Sequence, residues 1–194
     1  MRLLVTGGSG VLGRVALPRL ISAGHDVAAP PRTELNLFNP YALREAMADR
    51  EGILHLASRI PPAERMNDPD AWVENDHIRS DGTRLVVSAA LKSNAQVVVL
   101  PSAVWLPERN AVPPELQSLR VAETQIGLVT RAGRRGVVVR LGLLWGPGTG
   151  NDTPNDMYGA TLHVDAAAEA LVGSLDAEAG VYRAIDGELS PFPG

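Results

Sequence analysis

Glycines at positions 7, 10 and 13 fall directly after a short apolar run, Leu3-Leu4-Val5, and open a helix-like stretch at 11–23. No other segment restricts so strongly what this chain can fold into. The order reads as strand, tight turn and helix N-terminus, the arrangement that cradles a dinucleotide pyrophosphate. In that arrangement Gly7 permits the turn, Gly10 lets the backbone approach the phosphates, and Gly13 lets the helix pack closely on the strand. The free N–H groups from Ser9 to Leu12, together with the positive end of the helix dipole, then face an anion.

The rest of the chain is compatible with such a start. Its 194 residues, 45% hydrophobic and 21% charged, predict one globular domain over 1–194 with a full core. A net charge of −4 gives no electrostatic reason to expect nucleic acid or an anionic membrane as a partner. There is no cysteine, which excludes disulfide and thiolate chemistry, and no apolar run is long enough to span a bilayer. The chain runs from Met1 into the first strand without a basic leader or cleavage site, so a cytoplasmic protein is expected.

Apolar runs at 3–5, 26–29, 53–57, 96–100 and 137–141 alternate with helix-like segments at 11–23, 40–49, 78–92 and 114–133. That alternation predicts an α/β fold, a doubly wound parallel sheet covered on both faces. A loop at 146–155, a helix at 166–175 capped by Asp165 and a short strand at 180–184 complete the expected single domain with its small C-terminal extension.

Five segments, in this order, resemble the extended short-chain dehydrogenase/reductase family, in its NAD-dependent epimerase/dehydratase-like branch. They are Thr6-Gly7-Gly8-Ser9-Gly10-Val11-Leu12-Gly13, Ile53-Leu54-His55-Leu56-Ala57-Ser58, Asp81-Gly82-Thr83-Arg84-Leu85, the run from Arg140 to Gly148, and Leu162-His163-Val164-Asp165-Ala166-Ala167. The resemblance implies a Rossmann-type fold and an NAD or NADP cofactor. It places Gly7, Ser9, Gly10, Val11, Leu12 and Gly13 at the pyrophosphate, and Leu56, Ala57 and Ser58 beside the adenosine ribose. Asn36-Leu37 resembles the pair that contacts adenine, with an amide in place of the acid.

The chain departs from the family in four places. The family's chemistry rests on a Ser or Thr, a Tyr, and a Lys four residues after that Tyr. Here 113–123 reads Pro-Pro-Glu-Leu-Gln-Ser-Leu-Arg-Val-Ala-Glu, the tyrosines are Tyr41, Tyr158 and Tyr182, and the sole lysine is Lys92. Anchoring on Glu123 puts Leu119 or Arg120 at the lysine place and Glu115 or Leu116 at the tyrosine place. Arg120 keeps a positive charge but cannot shuttle protons, whereas Glu115 is a general-base candidate. Ser102, or Pro101 if the register slips by one, takes the place of the catalytic Ser/Thr.

The second strand ends Ala28-Ala-Pro-Pro-Arg32, with Pro31 where an acidic residue selects NAD. Arg32, and Thr33 after it, are placed to meet a 2′-phosphate, which leans the cofactor towards NADP. Finally, 149–162 is short for the connection that builds most of a nucleotide-sugar lobe in this family. Within 146–194 the expectation is therefore a reduced lobe and a smaller or more open site.

The four histidines show no metal-ligand spacing, so no metal site is expected. His55 reads as a satisfied core residue, and His77 and His163 as residues at the top of the sheet. Trp105 and Trp145 follow strand ends and are candidates for walls of an apolar ligand site. The expected function is an NAD(P)-binding epimerase, dehydratase or reductase acting on a small metabolite. The missing Tyr and Lys keep open a non-redox isomerase or cyclase, and a cofactor-binding sensor without chemistry. A homodimer through the helix carrying Leu119, Ala122, Ile126 and Leu128 is compatible with the pattern.

Overall fold

A computed structural model describes residues 1–108, 111–155, 159–185 and 188–192, with backbone alone at 63. Tyr158 lies outside the described residues. The strands are β1 (Arg2–Thr6), β2 (Asp26–Ala28), β3 (Gly52–His55), β4 (Val97–Ala103), β5 (Arg135–Leu141), β6 (Leu143–Trp145), β7 (Thr161–His163), β8 (Gly180–Ile185) and β9 (Glu188–Pro191). The helices are α1 (Val11–Ser22), α2 (Pro40–Met47), α3 (Pro69–His77), α4 (Thr83–Leu91), α5 (Gln117–Arg131) and α6 (Val164–Gly173).

One sheet has the order β2-β1-β3-β4-β5-β8-β9, parallel throughout except for the β8–β9 pair. The chain lays β2 on one side of β1 and then β3 on the other, so the winding reverses at β1. In sheets of this kind ligands bind beyond the strand C-termini at such a reversal. Alternation along each strand then divides the core. Leu3, Val5, Val97, Val99, Val137 and Val139 meet Ala16 and Leu20 of α1 and Leu171 of α6 on one face. Leu4, Ile53, Val98 and Val138 meet Leu43 of α2, Val86 of α4 and Ile126 of α5 on the other. The doubly wound α/β expectation holds.

The differences are local. The central helix begins earlier than 78: α3 starts at Pro69 and continues through a π-helical stretch, Ile78–Gly82, into α4. Asp68 caps it by accepting the N–H of Asp70 at 3.0 Å, with proline at the first helical position. His163, not Asp165, caps α6, accepting the Asp165 N–H at 3.3 Å, while the Asp165 carboxylate pairs with Arg19 of α1 at 2.7 Å. Strands β6 and β7 form a separate two-stranded sheet and β9 adds an antiparallel edge, three strands that the apolar pattern of the sequence does not mark. Of the residues expected on a dimer face, Leu119, Ala122 and Ile126 are buried in this chain's own core. Among the described residues no helix is long and apolar enough to cross a membrane.

Strand β4 also runs further than 96–100, and Pro101 and Ser102 lie inside it. A proline is tolerated there because β3 pairs with β4 only as far as Val99. From Leu100 onward β5 alone continues the ladder, so the missing proline N–H leaves no bond unmade.

His55 ties the layers together at the end of β3. Its Nδ1 lies 2.6 Å from the Thr6 hydroxyl on β1, and its Nε2 lies 3.1 Å from the Thr83 hydroxyl at the start of α4. A neutral ring accepts at one nitrogen and donates at the other, and a hydroxyl answers either need. Full burial pushes its pKa from 6.5 down to about 4. The folded value lies below the unfolded one, so the unfolded chain takes up the proton first. The contribution of the neutral His55 to stability is complete above pH 6.5 and is lost as the pH falls towards 4, by about 3 kcal/mol in all. Urea midpoints across that window will show the fall, and His55→Asn will make it shallower.

Candidate functional site

At the reversal point the turn after β1 is pressed between α1 and the end of β3. Gly7 has φ +75°, and a Cβ on it would stand 2.6 Å from the Ala57 nitrogen and the Leu56 carbonyl carbon. A Cβ on Gly13 would stand 2.4 Å from the Gly7 carbonyl oxygen. Gly10 caps α1 without a side chain, its own N–H donating to the Gly7 carbonyl at 3.0 Å. The N–H groups of Val11, Leu12 and Gly13 find no acceptor among the described residues. Ser9 is exposed on the turn. Unclaimed donors therefore lie together at the positive end of a helix, which suits an anion. The Gly-Pro-Gly turn approaches from above, with a Cβ on Gly148 3.3 Å from Nη2 of Arg14 in the first turn of α1.

To one side of this cradle lie the loops that follow β2 and β3. Leu56 is buried, with its N–H on the Thr6 carbonyl at 3.0 Å; Ala57 is half-buried and Ser58 exposed. Asn36 uses its Oδ1 to accept the Phe38 N–H at 2.9 Å, which leaves the amide nitrogen for a ligand. Leu37 packs against the core. Arg32 is not free: its Nη1 lies 2.6 Å from Oε1 of Glu74 on α3, whose Oε2 lies 3.6 Å from Nε of Arg59. Phe38 stacks on His77 of α3, with centroids 4.2 Å apart and planes 8° from parallel. Asn75, fully buried beside Glu74, accepts the Arg59 N–H at 2.9 Å, and its amide nitrogen has no partner among the described residues.

The second cluster forms at the ends of β4 and β5. Ser102 is buried, and its hydroxyl has no partner among the described residues. Strand register sets it beside Arg140, which is 1% exposed. Arg140 grips Glu123 of α5 with two parallel bonds of 2.8 Å and also pairs with Glu108. Burial opposes its charge, but these carboxylates outweigh that and hold the guanidinium more firmly protonated than usual. Arg120 joins the group through Glu123 at 3.7 Å and donates to the Pro107 carbonyl. Glu115 stands apart, exposed on a 3₁₀ turn with no bond or ion pair among the described residues. Phe192 covers Arg140, its ring centroid 4.6 Å from the guanidinium carbon, and lines a cleft of about 260 Å3 with Val104, Arg183 and Ile185. Trp105 packs by Ala103, Leu106 and Leu119, and Trp145 meets His163 edge-on at 4.5 Å. Lys92 lines a different cleft between α2 and α4, with Tyr41 and Arg44.

Sequence reasoning brought Ser102 and Arg120 into one neighbourhood but missed Glu74, Arg59, Arg140 and Arg14. The run Asp68-Pro69-Asp70 was the available signal for α3, an N-cap followed by a first-turn proline. No local pattern could have named Arg140's partners.

A seven-stranded sheet wound on both sides of β1, with glycines closing the turn at the reversal, defines a Rossmann-type α/β protein. Residues 3–178 match the model of the NAD dependent epimerase/dehydratase family, and the chain belongs to that family. A 3-diazoavenalumate denitrifying reductase from a Streptomyces species is 29% identical over 238 residues, covering 98% of this chain and 78% of the relative. Among solved structures, the UDP-glucose 4-epimerase of Thermus thermophilus in complex with NAD superposes with a TM-score of 0.74. It is 19% identical, over 98% of this chain and 79% of that one. The RMD protein of Pseudomonas aeruginosa complexed with NADPH gives 0.73 at 20% identity, over 98% and 78%.

The buried pair and its rim should respond differently to truncation. Arg140→Ala leaves Glu123 buried and uncompensated and will cost about 3–5 kcal/mol. Arg120→Ala, at the more accessible edge, will cost about 1 kcal/mol or less. Denaturant unfolding of both variants checks the contrast.

Proposed function

We propose that this chain is a small NAD(P)-dependent enzyme of epimerase, dehydratase or reductase type that acts on a small metabolite. The closeness of the glycine turn carries the reading. Side chains at Gly7 and Gly13 would collide with backbone, and the N–H groups beside them are unclaimed. When bound, a nicotinamide supplies reversible hydride transfer.

Gly7, Ser9, Gly10, Val11, Leu12 and Gly13 hold the pyrophosphate in this reading. Leu56, Ala57 and Ser58 flank the adenosine ribose, while Leu37 and the free amide of Asn36 meet the adenine. Arg32 leans the cofactor towards NADP. Ser102 positions the substrate oxygen: a buried, unpaired hydroxyl costs about 1–3 kcal/mol, which a substrate acceptor restores. Arg140, tied to Glu123, and Arg120 beside the same carboxylate fix the floor on which that oxygen would sit. Glu115 exchanges the proton through water, because Tyr and Lys are absent from 113–123. Losing a positioned proton-transfer group costs on the order of 10²–10⁴-fold, so turnover is slow.

The substrate lobe within 146–194 is reduced in this reading. The 149–162 connection is short, and the cleft beside Phe192 is about 260 Å3. So short a connection suits a substrate well below nucleotide-sugar size. The absent Tyr and Lys also favour a second reading, a non-redox isomerase or cyclase in the same cleft.

Tryptophan fluorescence titrations with NADPH and NADH will show micromolar binding. Gly13→Ala will weaken it about tenfold or more, a loss of about 1.4 kcal/mol. No binding to folded protein would end the cofactor reading, and turnover without dinucleotide would favour the second. Ser102→Ala will lower kcat roughly 10–100-fold and leave the cofactor Kd unchanged.

A further inference from the structure

The carboxylate of Glu74 lies between two arginines that come from separate strand ends. Arg32 follows β2 and Arg59 follows β3, the two neighbours of β1, so their loops bracket the adenosine side of the glycine cradle. Each guanidinium takes one oxygen of Glu74, Arg32 Nη1 on Oε1 at 2.6 Å and Arg59 Nε on Oε2 at 3.6 Å. Both keep further N–H groups without a partner among the described residues. Asn75 fixes the Arg59 backbone from the neighbouring position on α3.

Building on the dinucleotide reading, in which Arg32 meets the ribose 2′-phosphate, we propose that Glu74 occupies this seat as a built-in stand-in, bridging Arg32 to Arg59, until the phosphate displaces it and takes both guanidinium groups. The chemistry favours this exchange. Two guanidinium groups against one carboxylate leave one positive charge over, and a phosphate dianion neutralises both. Its three oxygens match the guanidinium fork better than a single carboxylate shared end to end. Displacement is easy because the side chains of Arg32, Arg59 and Glu74 are 79%, 67% and 43% exposed, and ion pairs so exposed contribute little. The acid that would otherwise bind a free ribose hydroxyl is missing from the end of β2, where Pro31 stands.

The alternative assignment makes Glu74 itself the acceptor of the 2′-hydroxyl, supplied from α3, and it predicts the opposite response. Isothermal titration of the full chain with NADPH, NADH and adenosine 2′,5′-bisphosphate separates the two. Wild type should bind NADPH about tenfold or more tighter than NADH, with a preference that shrinks as salt rises. Glu74→Gln should tighten NADPH several-fold and leave NADH unchanged. Arg59→Gln and, independently, Arg32→Gln should each weaken NADPH and the bisphosphate about tenfold and spare NADH. All three side chains are exposed, and circular dichroism verifies that the variants fold.

Weaker NADH binding in Glu74→Gln, with NADPH unaffected, would overturn the proposal and make Glu74 the hydroxyl acceptor. So would equal NADPH and NADH affinities that none of the variants alters. Failure of folded wild type to bind any of the three ligands would overturn the dinucleotide reading and this proposal with it. Retained NADH binding marks the cases in which the proposal alone fails.

Discussion

Backbone packed on backbone at the turn after β1 is the constraint on which the rest of the structure depends. The Gly7 carbonyl sits where a Cβ on Gly13 would be, and the chain after β3 sits where a Cβ on Gly7 would be. No side chain can be accommodated at either contact without moving a strand or a helix. With both glycines in place, α1 lies directly over the sheet and β3 closes against β1. The first N–H groups of α1 are then left facing outward at the point where the winding reverses. The Thr6–His55–Thr83 bonds lock the same junction from within. The loops after β2 and β3 inherit their positions from this junction, and with them Arg32 and Arg59.

The other half of the site is organised by charge rather than by glycine. Glu123 resembles the family's glutamate after its lysine, and Arg140 opens the family-like run that ends at Gly148. In this chain the two form one buried, doubly bonded pair between α5 and β5. A buried ion pair is a weak source of net stability, since desolvation offsets most of its attraction. Its value here is orientation. It fixes α5 against the end of β5, where Arg140 is the register neighbour of Ser102 on β4. Pro101 contributes by ending the ladder on the β3 side, where β4 no longer needs an N–H.

Helix α3 shows where reading along the chain falls short. Its segment is polar, with Asp70, Glu74, Asn75, Asp76 and His77 in nine residues, and so lacks the apolar period that marks α1, α4 and α5. Its cap and first-turn proline were visible, but they mark a helix start without saying how far the helix runs. The three-residue strands β6 and β7 are too short to carry a period at all. Asp165 lies one residue inside α6 rather than at its cap, and the sequence does not separate the two for a related reason. A first-turn aspartate and a capping one look alike in sequence, and only its pairing with Arg19 distinguishes them.

Sequence alone determined the sheet class, the glycine turn and the absence of Tyr and Lys from 113–123, because each rests on residue identity or on spacing within a few residues. The tertiary structure alone decided that Arg32 meets Glu74, 42 residues away, that Ser102 is left without a partner, and that Arg140 is charged and buried on Glu123. Those facts depend on which strand ends meet in space. Side chains far apart in the chain become neighbours only when the sheet has assembled, and no local periodicity encodes which of them will pair.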